Sequence, residues 1–308
     1  MALTPRISVL TPCLNGGRYI ADAIESVRLQ GYGGIEHIIA DGGSTDDTLQ
    51  VLRRYPDLKV FSRRDGGMYH GLNAALDEAR GEIIGILNAD DCYAAGALRA
   101  AADVLSDPAI MAVTGRAVTF SADGRADRAL AHDPARGEDL LFRSTLGNPA
   151  MNACFFRASV FARIGAFDAR YEIAGDREFM LRLALSGLRY AEADRVLCRY
   201  RVHPDSMTFG AASEELGETV LREHARMTSL YLSRPDLSPR ARALIKRART
   251  RDTLIGAQYC ARRRQVRKLL SHAAAGTRHD PVWPARFAAR AMRAMAHKMG
   301  SHGRGGQS

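Results

Sequence analysis

The first hundred residues repeat one pattern four times: a short run of apolar and β-branched residues, a polar break, then apolar residues at helical spacing. Ile7–Thr11 leads to Pro12 and Gly16-Gly17, after which Ile20, Ala23, Ile24 and Val27 share one helical face. Ile35–Ala40 is closed by Asp41-Gly42-Gly43, and Ser44-Thr45-Asp46-Asp47 offers capping hydroxyls and first-turn acids for a helix through Leu49 and Leu52. Val60–Ser62 precedes Gly66-Gly67 and a helix with Leu72, Ala75, Leu76 and Ala79 on one side. Ile83–Leu87 ends in Asn88-Ala89-Asp90-Asp91, ahead of a helix over Ala94–Leu105. Four such units predict an α/β fold, a mostly parallel sheet flanked by helices.

Charge then divides the chain. Residues 1–220 carry 24 basic and 30 acidic side chains, a net of −6, whereas residues 221–308 carry 20 and 4, a net of +16. The expected organisation is an α/β domain over residues 1–212 and a basic helical extension over 213–308. A hydrophobic share of 46% with 25% charged residues suits a folded globular chain and excludes a disordered or fibrous one. No apolar run approaches the ~20 residues that span a bilayer. The N-terminus enters Ile7-Ser8-Val9-Leu10 without a signal-peptide pattern. Cys13, Cys92, Cys154, Cys198 and Cys260 are dispersed with no CxxC pair, which reads as reduced thiols in a cytoplasmic protein.

The polar clusters fall where open α/β sheets bind ligands, outside the carboxyl ends of the strands. They are Thr11-Pro12-Cys13-Leu14-Asn15, Asp41-Gly42-Gly43-Ser44, Asp65-Gly66-Gly67 and Asn88-Ala89-Asp90-Asp91. Acidic loops repel a bare phosphate unless a divalent cation stands between, and Mg²⁺ or Mn²⁺ is commonly held by one or two carboxylates plus substrate phosphates. Asp41 is placed to accept hydrogen bonds from a base or a ribose. The first turn lacks GxGxxG, which argues against a nicotinamide enzyme.

The series TPCLNGGRYI, DGGSTDDT, RDGGMYHGLNAAL and GILNADD resembles the family-2 glycosyltransferases of GT-A (Rossmann-like) fold, most closely the exopolysaccharide and colanic-acid branch. GDREFMLRL and CRYRVHPDSMT resemble that family's second half, so the likeness runs over about residues 7–210. The resemblance implies that Thr11, Pro12, Asn15, Asp41, Asp65 and Asp91 bind the donor nucleotide. It places Asp90 at the last acid of the metal-binding DxD motif, with His203 approaching the metal or diphosphate, Arg201 beside it and Ser206 in the same loop. It makes Asp176 the catalytic base. Two departures stand out: Asn88 replaces the first acid of DxD, and Met151 falls where relatives often carry a histidine. The implied activity is an inverting, metal-dependent transfer of a sugar from a nucleotide-diphosphate donor to a hydroxyl of a lipid-linked or growing bacterial surface glycan.

Elementary chemistry is compatible with that activity. A leaving diphosphate gathers negative charge that a cation at Asp90 neutralises, and an alcohol of high pKa needs a base such as Asp176. Plainer readings exist: Asp90-Asp91 and Asp176 suit helix N-caps, His203 a solvated loop, and the glycine pairs tight turns. A nucleotidyltransferase shares the nucleotide and metal requirements, although TPCLNGG lacks the basic residue that holds a triphosphate. A catalytically degenerate scaffold in an assembly complex is a third reading, kept open by Asn88.

In the tail, helices are expected over Glu214–Leu232, Ser238–Gln258 and about Tyr259–Ala274. After Pro281, Trp283, Phe287, Ala291, Met295 and Met299 step by fours, with Arg286, Arg290, Arg293 and Lys298 on other faces. Such a helix suits an anionic inner-membrane surface, or packs on its neighbours with its arginines in solvent. Membrane docking would make the cytoplasmic protein peripheral on the inner face. Nucleic acid is not expected, because the tail's sparse aromatics form no stacking platform.

Overall fold

The computed structural model describes residues 5–121, 128–129, 139–206, 212–285 and 287–289. Compact packing divides the chain into Met1–Leu216 and Gly217–Ser308.

In the first unit, β1 (Ile7–Cys13) is buried along its whole length, as a strand covered on both faces must be. It pairs in parallel with β2 (Ile35–Asp41) and β4 (Ile83–Ile86), and β2 pairs in parallel with β3 (Lys59–Ser62). Helices α1 (Ile20–Arg28), α2 (Thr48–Leu52) and α3 (Met68–Glu78) follow β1, β2 and β3. Ile20, Ala23, Ile24 and Val27 form the buried stripe of α1, the face their spacing predicts.

A second half joins this parallel set. Its elements are β5 (Cys92–Tyr93), α4 (Ala97–Val104), β6 (Ala112–Ser121), β7 (Arg128–Ala129), α5 (Leu140–Thr145), a 3₁₀ turn (Met151–Ala153), β8 (Cys154–Arg157), α6 (Ala158–Ile164), α7 (Gly175–Leu185) and β9 (Tyr190–Val202). Among the described residues the sheet runs β3-β2-β1-β4-β8-β6-β9-β5, with β7 beside β6. β8 lies antiparallel to β4 and β6, β6 and β9 are parallel, and β5 is antiparallel to β9. The sheet is therefore mixed, parallel from β3 through β4. Because α4 begins at Ala97 after a left-handed Gly96, Asp90-Asp91 lie too far upstream to cap it.

Four phenylalanines, Phe156, Phe161, Phe167 and Phe179, weld α6 and α7 to one face of the sheet. Phe179 stands edge-on to Phe156 at 5.4 Å and contacts Phe161 and Phe167 at 5.1 and 4.8 Å. Phe155 meets Tyr93 at 5.2 Å.

The second unit contains α9 (Pro239–Arg262), α10 (Val266–His279) and most of α8 (Ala212–Leu232). Ser238 caps α9 by accepting from the Ala241 amide, with Pro239 in the first turn. The expected helix start at Tyr259 is corrected: α9 continues through it, and the break falls at Arg263–Gln265, where Arg264 has φ +56°. Trp283 is buried against Leu254, Ala257, Leu269 and Ala273 and stacks on Phe287 at 5.3 Å. The start of the segment after Pro281 thus packs on its neighbours. Ala291, Met295, Met299, Arg286, Arg290, Arg293 and Lys298 lie outside the described residues in whole or in side chain. Among the described residues no helix is long and apolar enough to cross a membrane.

Candidate active site

The β-sheet register assembles the first part of the site. It sets Asp41 level with Cys13 on β1 and Ser62 on β3, so the three strand ends meet at one carboxylate. Asp41 is buried and accepts from the Gly43 and Ser44 amides at 3.2 and 3.1 Å, from Ser62 Oγ at 2.7 Å and from Ser44 Oγ. Asn15, left-handed at φ +52°, receives the Thr45 amide on Oδ1 at 2.9 Å and donates its own amide to Ser44 Oγ at 2.7 Å. Asp46 receives the amides of Gly17 and Thr48, both at 3.0 Å, and the Thr48 hydroxyl. Burial pushes the Asp46 carboxyl up, but these hydrogen bonds prevail and hold it below the usual range. The first two loops are thereby stitched together.

Beside Asp41 opens a cavity of about 240 Å³ lined by Phe61, Arg63, Arg64, Asp65 and His70 among others. Asp65 is fixed by the Gly67 amide at 2.8 Å. Gly42 lies between Asp65 and Leu14: a Cβ there would make ordinary contacts with Asp65 Oδ1 at 3.4 Å and Leu14 Cδ1 at 3.6 Å. Leu14 is 65% exposed at this mouth, an apolar surface among polar loops that the sequence reading left unassigned.

Two expected nucleotide contacts are placed differently. Thr11 is buried, with its hydroxyl 2.9 Å from Nε2 of the fully buried His37. Burial drives the His37 imidazole down to about 3, so it is neutral at pH 7. Pro12 is buried within β1. Asp91 is also withdrawn: it is 2% exposed and accepts from the Arg201 amide at 2.9 Å and Asn152 Nδ2 at 2.6 Å. Burial, then the adjacent Asp90, raises its carboxyl to about 8. Thr11 and Asp91 thus hold the framework behind the site rather than face its opening.

Asp90 does face it. Its carboxylate is one-third exposed, and Oδ2 lies 3.0 Å from His203 Nε2, whose ring rests on Tyr19 at 4.5 Å. Pairing of β5 with β9 sets this up by bringing Cys92 opposite Arg199, two residues from Arg201. Arg201 itself is 9% exposed and internally engaged, donating to Asp22 Oδ2 at 2.7 Å and the Asp90 carbonyl at 2.9 Å and lying over the Tyr19 and Phe120 rings. A diphosphate contact from this guanidinium is therefore replaced by a clamp joining α1, the Asp90 loop and β9. Ser206 is buried in the same loop, its amide bonded to the His203 carbonyl. Among the described residues no three His, Cys, Asp or Glu side chains form a metal cage.

Asp176 is in the first turn of α7, and Tyr69 of α3 holds that turn. The Tyr69 hydroxyl accepts the Asp176 amide at 3.0 Å and donates to the Ile173 carbonyl at 2.6 Å, with Asp176 Oδ1 at 3.4 Å. Gly175 permits this approach, since a Cβ there would lie 2.7 Å from the Tyr69 ring. Arg177 ties the same turn to the Ser144 and Gly147 carbonyls at 3.1 and 2.8 Å. Tyr69, Asn152 and His37 escape sequence reasoning because their roles depend on partners distant in the chain.

The family model described as glycosyl transferase family 2 matches residues 8–165. An uncharacterized glycosyltransferase of Mycobacterium tuberculosis is 33% identical over 193 residues, covering 60% of this chain and 71% of that protein. A PGL/p-HBAD biosynthesis glycosyltransferase of Mycobacterium bovis is 30% identical over 189 residues, 58% of this chain and 69% of that one. Among solved structures, the mannosyltransferase PcManGT of Pyrobaculum calidifontis, in complex with GDP-Man and Mn²⁺, superposes with TM-score 0.61 at 21% identity, covering 94% and 85% of the two chains.

Proposed function

Since the chain belongs to glycosyl transferase family 2, we propose that it moves a sugar, with inversion and with help from a divalent cation, from a nucleotide-diphosphate donor to a hydroxyl of a lipid-linked or growing bacterial surface glycan. The observation that carries this reading is the Tyr69 link. Tyr69 lies one turn beyond the Asp65-Gly66-Gly67 loop of the cavity, and its hydroxyl grips the main chain at Asp176. The helix that follows the cavity's Asp65 loop is thus tied by one side chain to the turn that carries the candidate base.

The cavity beside Asp41 and Asp65 suits a nucleoside, with Leu14 as an apolar surface for the base and Arg63 and Arg64 as cationic partners. Asn15 and Asp41 act through the loops they stitch together. At the end of β4, Asp90 and His203 fit a Mg²⁺ or Mn²⁺ ion: a carboxylate and an imidazole 3.0 Å apart are suitable ligands, and two protein ligands leave positions for phosphate oxygens and water. Such a cation supplies neutralisation of the charge that gathers on the leaving diphosphate. Asp176 accepts the proton of the acceptor hydroxyl as its oxygen bonds to the anomeric carbon and the diphosphate leaves from the opposite side. Held in line, the two substrates need no covalent enzyme intermediate. The M. bovis relative's name, which places it in PGL/p-HBAD biosynthesis, supports a glycan assembled on a lipid-like carrier. Such a carrier supports a site of action at the inner face of the cytoplasmic membrane, reached through the basic C-terminal helices.

The test is a panel of UDP-, GDP- and dTDP-sugars with Mn²⁺, Mg²⁺ or chelator, following donor turnover. Asp176→Asn is expected to lower turnover ~10²–10⁴-fold with nucleotide affinity retained. Unchanged turnover in that variant removes the base assignment, and failure of every donor removes the donor class.

A further inference from the structure

Helix α10 carries one wide apolar face, and the second unit covers only part of it. Leu269, Ala273 and the glycine at 276 form the inner stripe, where Trp283 sits so close that a Cβ on Gly276 would collide with its ring. On the flank of that stripe, about a quarter-turn round the helix, Val266 and Leu270 are each 63% exposed, and Ala274 continues their line at the same four-residue step. Beside that outer line stand Arg267 and Arg278, both exposed, and the turn leading into the helix presents Arg263 and Arg264. Lys268 points elsewhere, paired with Glu218 on α8 at 2.7 Å.

We infer that this outer face of α10, Val266 and Leu270 with Arg264, Arg267 and Arg278 around them, docks on an anionic phospholipid surface. The inference deepens the inner-membrane placement proposed above and rests on it. Charge complementarity selects the partner: residues 221–308 carry a net of +16, and the arginines border the apolar line without interrupting it. An interfacial helix has this arrangement, hydrocarbon side chains entering below the headgroups and cations remaining among them. A protein partner would need a broader apolar area than two large side chains provide. Trp283 itself is 3% exposed and turned inward, so it is not part of this contact.

The experiment is co-sedimentation of the full chain with vesicles of phosphatidylcholine alone or with phosphatidylglycerol, at low and raised salt. Binding is expected on the anionic vesicles, weakened by salt, with roughly a fivefold loss of affinity for each arginine neutralised in Arg264→Gln and Arg267→Gln. Val266→Ser with Leu270→Ser is expected to cost roughly tenfold. Trp283 is the one tryptophan in the chain, so unchanged emission certifies that these surface variants fold. Equal binding to neutral vesicles, wild-type binding by the double serine variant, or no binding at all overturns the inference. Strong quenching of Trp283 by brominated lipid also overturns it, by assigning the contact to that segment. A dimer in sedimentation velocity that the double serine variant dissolves overturns it in favour of a second copy. Donor turnover without vesicles, expected to be equal in wild type and the double serine variant, separates the two readings. If no donor turns over while α10-dependent vesicle binding persists, the transferase reading fails and the docking face stands.

Discussion

His37 is a single residue whose placement makes the whole fold sensitive to acid. It is fully buried beneath Thr11, and burial lowers its imidazole from 6.5 to about 3. Below pH 6.5 the unfolded chain takes up a proton there that the folded chain refuses until near pH 3. Stability therefore rises with pH through that window, is fully present above it, and is lost as pH falls. Between pH 7 and 5 this one group costs about 2 kcal/mol, at ~1.36 kcal/mol per pH unit. Urea unfolding of His37→Gln at both pH values is expected to show a loss smaller than the wild type's by about that amount; parallel losses would contradict it. Tyr69 offers a second residue-scale expectation. Tyr69→Phe removes the acceptor of the Asp176 amide and the donor to the Ile173 carbonyl, two part-buried hydrogen bonds worth ~0.5–1.5 kcal/mol each. Turnover is expected to fall roughly tenfold or more as α7's first turn loosens, with KM for the donor little changed. Asp41, Asp90, Asp176 and His203 were visible in the sequence because they follow apolar runs or stand in family blocks. Tyr69 and His37 were not, because a buried polar group is defined by whichever distant group satisfies it. The burial of Asp91 and Arg201 was hidden for the same reason: a charged residue in a motif looks exposed until the strand beside it is known.

Strands and helices differ in how openly the chain announces them. β1 and β4 are buried on both faces, so their sequences are largely apolar runs, β2 is apolar through Ile38–Ala40, and α1 carries a clear helical stripe. β6 and β9 carry no such sign. β9 runs thirteen residues as YAEADRVLCRYRV, with Glu192, Arg195 and Arg199 among its side chains, and β5 is only two residues long. Their pairing is a property of the sheet, not of either segment, yet it delivers Arg201 and His203 to Asp90. Gly115 is the point where that pairing bends, since the β6–β9 register shifts between Gly115 and Ala117. A Cβ at 115 would collide with the buried Leu197 side chain. Gly115→Ala is expected to destabilise the protein by ~1–3 kcal/mol in urea unfolding, the usual cost of overpacking a core. A change within experimental error would show that β9 can shift without penalty. The tail helices were legible from proline breaks and spacing, but their inner and outer faces were not. The apolar face of α10 is wide, and periodicity alone does not say which part of it a neighbour covers.

Across the whole molecule, the acidic first 220 residues and basic remainder pose an electrostatic question that the site must answer. A nucleotide-diphosphate donor is itself an anion, and the unit that would receive it is net negative and brings Asp41, Asp65 and Asp90 to its strand ends. Like charges at close range repel, so donor alone should bind weakly. A cation alone should also bind weakly, because Asp90 and His203 are two ligands where six positions need filling. If Asp90 and His203 hold the cation as proposed, each would supply what the other lacks: the diphosphate would offer oxygens to the cation, and the cation would offset the repulsion. Linkage makes this coupling reciprocal, so the factor by which donor tightens Mn²⁺ equals the factor by which Mn²⁺ tightens donor. Calorimetry on the full chain is expected to find that factor at roughly tenfold or more, the lower range of measured coupling energies. Asp90→Asn should reduce it to near unity while sparing the weak metal-free binding of the nucleoside in the Asp65 cavity. Asn88→Asp should raise affinity for the cation alone and so shrink the coupling, since less of the shell is left for the donor to complete. Independent binding of cation and donor in the unaltered protein would mean that the two do not share Asp90.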